Sequence, residues 1–148
     1  MPTHREKRIV TYTPVQIYSL VADVASYPDF LPWVTSSHLY NHNDNGFEAD
    51  LSIGTSFVNQ AYSSKVILQP KARRIDVRHI KGPFHHLNNH WIFHEHERGT
   101  EIEFFLDFEL NSPFLKPILQ PFLNQAAGMM ISAFETRAQQ LFGKSCNK

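Results

Sequence analysis

The residues of this chain that could do chemistry are histidines and carboxylates, and they crowd into one region. His79, His85, His86, His90, His94 and His96 all fall between positions 79 and 96. On a strand, His90, His94 and His96 share a face by parity. Imidazoles on one face could hold zinc. Trp91 and Phe93 take the opposite parity, however, and an inward aromatic face turns the histidines toward solvent. No cysteine or helical histidine pair completes a ligand set, so no metal site is expected. The histidines are read as a solvated face that titrates near neutral pH. Glu101, Glu103, Asp107 and Glu109 could supply an acid and a base. They alternate with Ile102, Phe104, Leu106, Phe108 and Leu110, which is the pattern of a polar outer strand face. None of the G-x-S-x-G, P-loop, H-E-x-x-H or G-x-G-x-x-G patterns occurs. Asn59, Gln60 and Tyr62 are the weak polar candidates for a site inside the fold. No catalytic residue is expected, and the chain is read as a non-enzyme that requires no cofactor.

The run from Asp23 to Trp33, DVASYPDFLPW, is unusually apolar for a connection. Proline fixes φ and lacks a backbone donor, so Pro28 and Pro32 should stiffen it. The residue before each proline is expected to be extended. Such a loop could set Tyr27, Phe30 and Trp33 against a core or around the mouth of a cavity.

Composition sets bounds. The 148 residues make one domain's worth of chain, so a single domain over 1–148 is expected, burying ~70% of its unfolded surface. Fourteen basic and fourteen acidic residues cancel. Strong attraction to nucleic acid is therefore not written into the net charge, and no DNA partner is expected. The clusters Arg5, Lys7, Arg8 and Lys71, Arg73, Arg74 are read as solvated. A single cysteine, Cys146, fits a reducing compartment. No secretory signal and no run of ~20 apolar residues is visible, so a cytoplasmic location, peripheral at most to the inner face of the membrane, is expected.

The elements that must position these residues follow from period and punctuation. His4–Tyr12 reads as a strand. Thr13-Pro14-Val15-Gln16 reads as a capped helix start, and Ile17, Val21 and Val24 recur at helical spacing. Phe47, Ala49, Leu51 and Ile53 alternate with polar residues, and Asn45-Gly46 before them signals a hairpin with a strand near 35–40. Strands are then expected at Phe57–Leu68, Arg74–Ile80, His90–His96 and Glu101–Leu110. From Ser112 the spacing turns helical. Pro117 and Pro121 are expected to kink or split the first turns, leaving a main helix from about Pro121 to Phe142 ended by Gly143. The order is strand, helix, six antiparallel strands, long helix. That is an α+β fold in which a curved antiparallel sheet grips one long C-terminal helix, and space between the two is a natural ligand cavity.

Three segments, YTPVQIYSLVADVASYPDFLPW, GPFHHLNNHWIF and FFLDFEL with AFETRAQQLFG, carry a resemblance over nearly the whole chain. The chain resembles the coenzyme-Q-binding START-like family of the polyketide cyclase/dehydrase and lipid transport superfamily, which also includes ribosome-association toxins. The resemblance implies a helix-grip (START/Bet v 1-like) fold with a hydrophobic tunnel. It implies binding of ubiquinone or a similar isoprenoid quinone in support of respiration, and no defined catalytic set.

Inward apolar positions are then the candidate tunnel residues. They are Phe30, Leu31 and Trp33 from the loop, Leu51 and Ile53 from one strand, and Phe84 from the Gly82-Pro83 turn. Trp91, Phe93, Phe104, Leu106 and Phe108 come from the last hairpin, and Phe122, Met129, Met130 and Phe134 from the helix. The expected partner is a hydrophobic small molecule. The segment Pro113–Leu123 is apolar on more than one side, so it is expected to touch a membrane surface transiently or a neighbouring subunit. Rival readings are a ribosome-associating factor and a cyclase-like enzyme.

Overall fold

The computed structural model describes residues 3–54 and 59–143. Seven strands form one antiparallel sheet: β1 (Thr3–Val10), β2 (Val34–Asn43), β3 (Gly46–Gly54), β4 (Asn59–Gln69), β5 (Arg74–Lys81), β6 (Phe84–His96) and β7 (Gly99–Leu110). Their order across the sheet is β1-β7-β6-β5-β4-β3-β2. Helix α1 (Pro14–Ala22) joins the two edge strands, and helix α2 (Lys116–Phe142) follows the sheet. The expected element order and helix-grip architecture are therefore present. The first residues of the fourth expected strand, Phe57 and Val58, lie outside the described residues.

Local chemistry explains each element. The Thr13 hydroxyl accepts from Gln16 N at 3.2 Å while Gln16 Oε1 accepts from Thr13 N at 3.0 Å. This reciprocal pair closes the first turn of α1, with Pro14 in the first helical position. Ile17, Leu20 and Val21 then turn inward and are buried. In β3, Phe47, Ala49, Leu51 and Ile53 are all buried. In β7, Ile102, Phe104, Phe108 and Leu110 are buried and Leu106 is half-buried. The hairpin between β2 and β3 turns at Asp44 and Asn45, one residue earlier than the Asn-Gly pair implies. Gly46 is the first residue of β3, at φ +146°, and a Cβ there would stand 1.9 Å from the Val66 carbonyl oxygen. Glycine is needed for that approach as much as for the turn.

Two expectations need correction. The 23–33 segment is not an extended loop, because Val24–Asp29 forms a 3₁₀ helix with Pro28 inside it. Pro28 has no N–H, yet the carbonyl of Tyr27 still accepts from Phe30 N at 3.2 Å and Leu31 N at 2.8 Å, and the Tyr27 hydroxyl donates to the Val21 carbonyl. Those bonds and the packing of the half-buried Tyr27 ring outweigh the steric bias of residue 27 away from helical angles. The second correction concerns α2, which runs unbroken from Lys116. Pro117 lies in the first turn, where the missing N–H has no intrahelical partner to lose, and only Pro121 forfeits a bond. Ser112 prepares this start, its hydroxyl accepting from Leu115 N at 3.3 Å and its carbonyl from Lys116 N at 3.1 Å.

The core lies between the concave sheet face, α1 and α2. Leu119, Ala126, Ala127, Ile131, Phe134 and Ala138 form the buried stripe of α2. Two bonds tie the ends of the chain together. The buried Thr100 hydroxyl donates to the Tyr12 carbonyl at 2.7 Å, and the Tyr12 hydroxyl donates to the Gly143 carbonyl at 2.8 Å. Phe134 is fully buried. Phe134→Ala is expected to cost ~3–5 kcal/mol in chemical denaturation, and Thr13→Ala about 1 kcal/mol. Equal losses for the two variants would show that Phe134 does not hold the core together.

Candidate functional site

A cavity of about 110 Å³ lies between the sheet and α2. For comparison, an engineered cavity of ~150 Å³ stays dry and takes up benzene. The space is therefore sized for one ring or one branched five-carbon unit, far less than a quinone with a long tail. It exists because α2 turns Ala126 and Ala127 toward a wall of large rings, and two methyl groups cannot fill the gap. At ~24 cal/mol per Å³ an empty space of this size costs roughly 2–3 kcal/mol.

The sequence-derived candidates divide into two groups. Leu31, Trp33, Leu51, Ile53, Phe84, Trp91, Phe104, Leu106, Phe108, Met130 and Phe134 line the cavity. Phe30, Phe93, Phe122 and Met129 do not. Phe30 lies on the outer side of the Tyr27–Phe134 contact, its ring centroid 5.3 Å from Phe134, with the Arg137 guanidinium 5.0 Å from the ring. Phe93 is buried beyond the cavity, under α1, edge-on to Tyr18 at 5.6 Å. Phe122 is half-buried on the core's margin. Met129 is 42% exposed, because neighbours on a helix point about 100° apart and Met130 takes the inward direction.

Other lining residues were not among those tunnel candidates, although Tyr27 is read from the sequence as a core or cavity-mouth residue and Tyr62 as a weak polar candidate. Val24, Tyr27, Val34, Val66, Val77, Leu87, Leu123, Ala126 and Ala127 are apolar or aromatic, and Tyr62, Ser64 and Asn89 bring polar groups. Parity on β4 could have found Ser64, since it shares the inward face of Tyr62 and Val66. The polar appearance of NQAYSSK hid that pattern. Asn59 and Gln60 do not line the cavity, and the Asn59 amide donates instead to the Thr35 hydroxyl at 3.3 Å.

Gly82 sets one corner of the site. It sits at φ +146°, and a Cβ there would meet the Tyr62 Cβ at 2.5 Å. The chain can thus cross directly over Tyr62 and deliver Phe84 inward. Phe84 is buried and packs edge-on against Tyr62 and Phe108, at 5.6 and 6.1 Å. It is a wall of the cavity.

The electrostatics are those of a dry interior. Burial pushes the Tyr62 hydroxyl up to about 12 and holds Tyr27 well above the ordinary phenol range. Both remain neutral donors near pH 7. Asn89 is committed to the protein: its amide donates to the Phe105 carbonyl at 2.9 Å, and its oxygen accepts from Trp91 Nε1 at 3.1 Å. The Ser64 hydroxyl is buried with no partner among the described residues, which costs ~1–3 kcal/mol relative to a paired group.

Most of the clustered histidines and carboxylates lie on the other side of the sheet; His79 is the exception, paired across the strands with Ser64 and with its ring 5.6 Å from Phe84. The His90 ring stacks on Phe105 at 4.9 Å, with the Arg5 guanidinium 4.5 Å from the same aromatic ring. Burial and the nearby Arg74 hold His90 below the ordinary imidazole range. His94 pairs with Glu103 at 3.0 Å and His86 with Asp107 at 3.2 Å. The hydrogen bond from His94 keeps Glu103 below the usual carboxylate range. Among the described residues no three of His, Cys, Asp and Glu gather in a metal-holding group.

The comparisons agree with this architecture. The family model described as polyketide cyclase/dehydrase and lipid transport matches residues 10–135. The ribosome association toxin RatA of Rickettsia prowazekii is 33% identical over 95% of this chain and 99% of its own length. The mitochondrial coenzyme Q-binding protein COQ10 of Drosophila melanogaster is 32% identical over 75% of this chain, which spans 46% of that longer protein. Among solved structures, the 18 kDa protein CC1736 of Caulobacter crescentus is 37% identical and superposes with a TM-score of 0.78, covering 97% of this chain and 99% of its own. With the match running from the end of β1 into α2, the chain belongs to the polyketide cyclase/dehydrase and lipid transport family.

Proposed function

We propose that this protein binds an isoprenoid quinone of the ubiquinone type in the cavity between the sheet and α2, and carries it for respiratory electron transport. The observation that carries the reading is an apolar, ring-sized hollow walled by Trp33, Trp91, Phe84, Phe104 and Phe108 and left open by alanines on the helix. A guest there would recover the contacts the empty space forfeits, with ~0.8 kcal/mol for each buried methylene-sized group. Relatives named for coenzyme Q binding support the choice of ligand. The helix side of the cavity is its adjustable wall. Leu123 and Met130 are half-buried and line it, and thioether side chains repack readily around an irregular guest. A prenyl tail would leave on that side. On this reading the chain is a carrier and catalyses no reaction. The cavity's polar groups, Tyr62, Ser64 and Asn89, are too few to build the acid–base set that a cyclase needs.

Delivery requires exchange with a membrane. No helix among the described residues is long and apolar enough to cross one. Phe114 is 86% exposed and Ile118 51% exposed beside the start of α2, and they supply a peripheral contact with lipid.

A second reading rests on length. Relatives named as ribosome association toxins match nearly end to end. The basic residues offer modest support, because Arg8 is paired with Glu6 at 2.9 Å and Arg74 with Asp76 at 2.9 Å.

Three outcomes are expected. Protein purified from a quinone-making host and extracted with organic solvent yields a prenylated quinone by mass spectrometry. Leu106→Asp, which would bury a carboxylate in the cavity, lowers the yield on the order of 100-fold, while Met129→Asp at the exposed helix face leaves it unchanged. A folded wild-type protein with an empty extract contradicts the carrier reading. Phe114→Ser combined with Ile118→Ser slows quinone transfer from vesicles about tenfold without changing the bound fraction at equilibrium; unchanged transfer removes the membrane-contact assignment. Co-sedimentation with ribosomal subunits that weakens as salt rises would favour the second reading.

A further inference from the structure

Ser64 is an odd residue for its place. Its side chain is wholly out of solvent, it lines the cavity, and among the described residues no group pairs with its hydroxyl. Two of its neighbours on the same side of the sheet are apolar. Val66 follows it at the same parity on β4, and the fully buried Ala49 is its partner on β3. Alanine or valine would satisfy that position with nothing left unpaired. A hydroxyl is stripped of water there and gains no protein bond in return.

Other cavity polar groups are spoken for. Asn89 is bonded to Phe105 and Trp91, and the Tyr27 hydroxyl to Val21. Tyr62 stands two residues before Ser64 on the same face, about 7 Å along the strand, and its phenol remains a neutral donor. His79 is opposite Ser64 in the pairing of β4 with β5, and its buried Nε2 also lacks a partner among the described residues. Two buried polar atoms without a partner among the described residues, Ser64 Oγ and His79 Nε2, thus belong to paired positions of β4 and β5. The cavity itself holds one ring and not a tail.

We propose that Ser64, with Tyr62 beside it, anchors a hydrogen-bond-accepting oxygen on the ring of the guest, so that the ligand enters polar end first and its hydrocarbon tail trails past Leu123 and Met130. The ligand class is a flat six-membered ring bearing a carbonyl oxygen. This inference rests on the quinone reading and deepens it by assigning the orientation and the contact of the head. Ser64 donates its O–H to the carbonyl oxygen, and Tyr62 is placed to donate a second bond. No bond is made or broken.

The test uses two probes and three proteins. The probes are a dimethoxy-methyl-benzoquinone carrying one isoprene unit and a prenylbenzene that lacks ring oxygens. The proteins are the wild type, Ser64→Ala and Tyr62→Phe, each titrated by calorimetry. Ser64→Ala is expected to bind the quinone about tenfold more weakly, the effect of losing one hydrogen bond. It should bind prenylbenzene as the wild type does, and without ligand it should melt no lower than the wild type. Tyr62→Phe should show a smaller loss confined to the quinone. In infrared difference spectra, one carbonyl stretch of the bound quinone should lie at lower frequency in the wild type than in Ser64→Ala. Equal quinone affinity in wild type and Ser64→Ala overturns the anchor and leaves quinone binding standing. Equal weakening toward both probes makes Ser64 a packing residue and likewise overturns the anchor. If Ser64→Ala does not fold, an unshifted carbonyl stretch in the wild type overturns it. Failure of the wild type to bind the quinone at all overturns the anchor and the quinone reading together.

Discussion

Phe134 stands where the sheet, the 3₁₀ segment and the long helix meet, and the rest of the structure is arranged around that contact. Its ring is 5.4 Å from Trp91 on β6, 5.5 Å from Tyr27 and 5.3 Å from Phe30, each near edge-to-face. Edge-to-face packing sets the positive rim of one ring against the negative face of another, and each such pair adds ~0.5–1.5 kcal/mol beyond area burial. This cluster pins α2 to the sheet at one point along its length. About two turns earlier the helix presents Ala127 and Ala126 where the sheet presents large rings. The separation that Phe134 and its partners require cannot also close the gap over two alanines. The cavity follows from an anchoring contact next to small residues.

That argument gives the 3₁₀ segment its role. Tyr27 is fixed at both ends, by its ring against Phe134 and by its hydroxyl on the Val21 carbonyl. It therefore sets the distance between α1, the end of the cavity and α2. Phe30 and Arg137 cover the cluster from outside, the guanidinium resting 5.0 Å from the aromatic ring. At the opposite corner, Gly82 allows the β5–β6 connection to pass against Tyr62, so Phe84 becomes wall and not rim. Two chain segments that read alike, each aromatic and each containing proline, thus do different things. One packs on the helix, and the other enters the sheet.

The two faces of the sheet divide the labour. The outer face carries pairs of histidine and carboxylate such as His94 with Glu103, and the exposed setting limits each to a small stabilisation. The inner face carries the few polar groups for which dryness matters. A serine hydroxyl that would be unremarkable in water becomes a directional feature once it is buried without a partner.

Much of this was legible in one dimension because the signals are local. Alternation at 47–53 and 101–110 sets which strand face is buried, a capping box and Pro14 place the first helix, and Gly143 ends the last one. These depend on neighbours in sequence, so the sequence carries them. The inward direction of Leu51, Ile53, Phe104, Leu106 and Phe108 follows from the same period of two. Distance between elements is different, because it depends on which side chains oppose one another across the fold. No local pattern says that Ala126 and Ala127 face a wall of rings, or that Phe93 lies under α1 while Trp91 faces the cavity. Parity cannot separate those two, since both point inward. Nor does a polar run such as NQAYSSK disclose that Ser64 is sealed from solvent, because burial is decided by the strands paired on either side and by the helix lying over them. Residue types and face were set by the chain itself; the hollow and its unpaired hydroxyl came into being only when the tertiary contacts fixed how far the helix stands from the sheet.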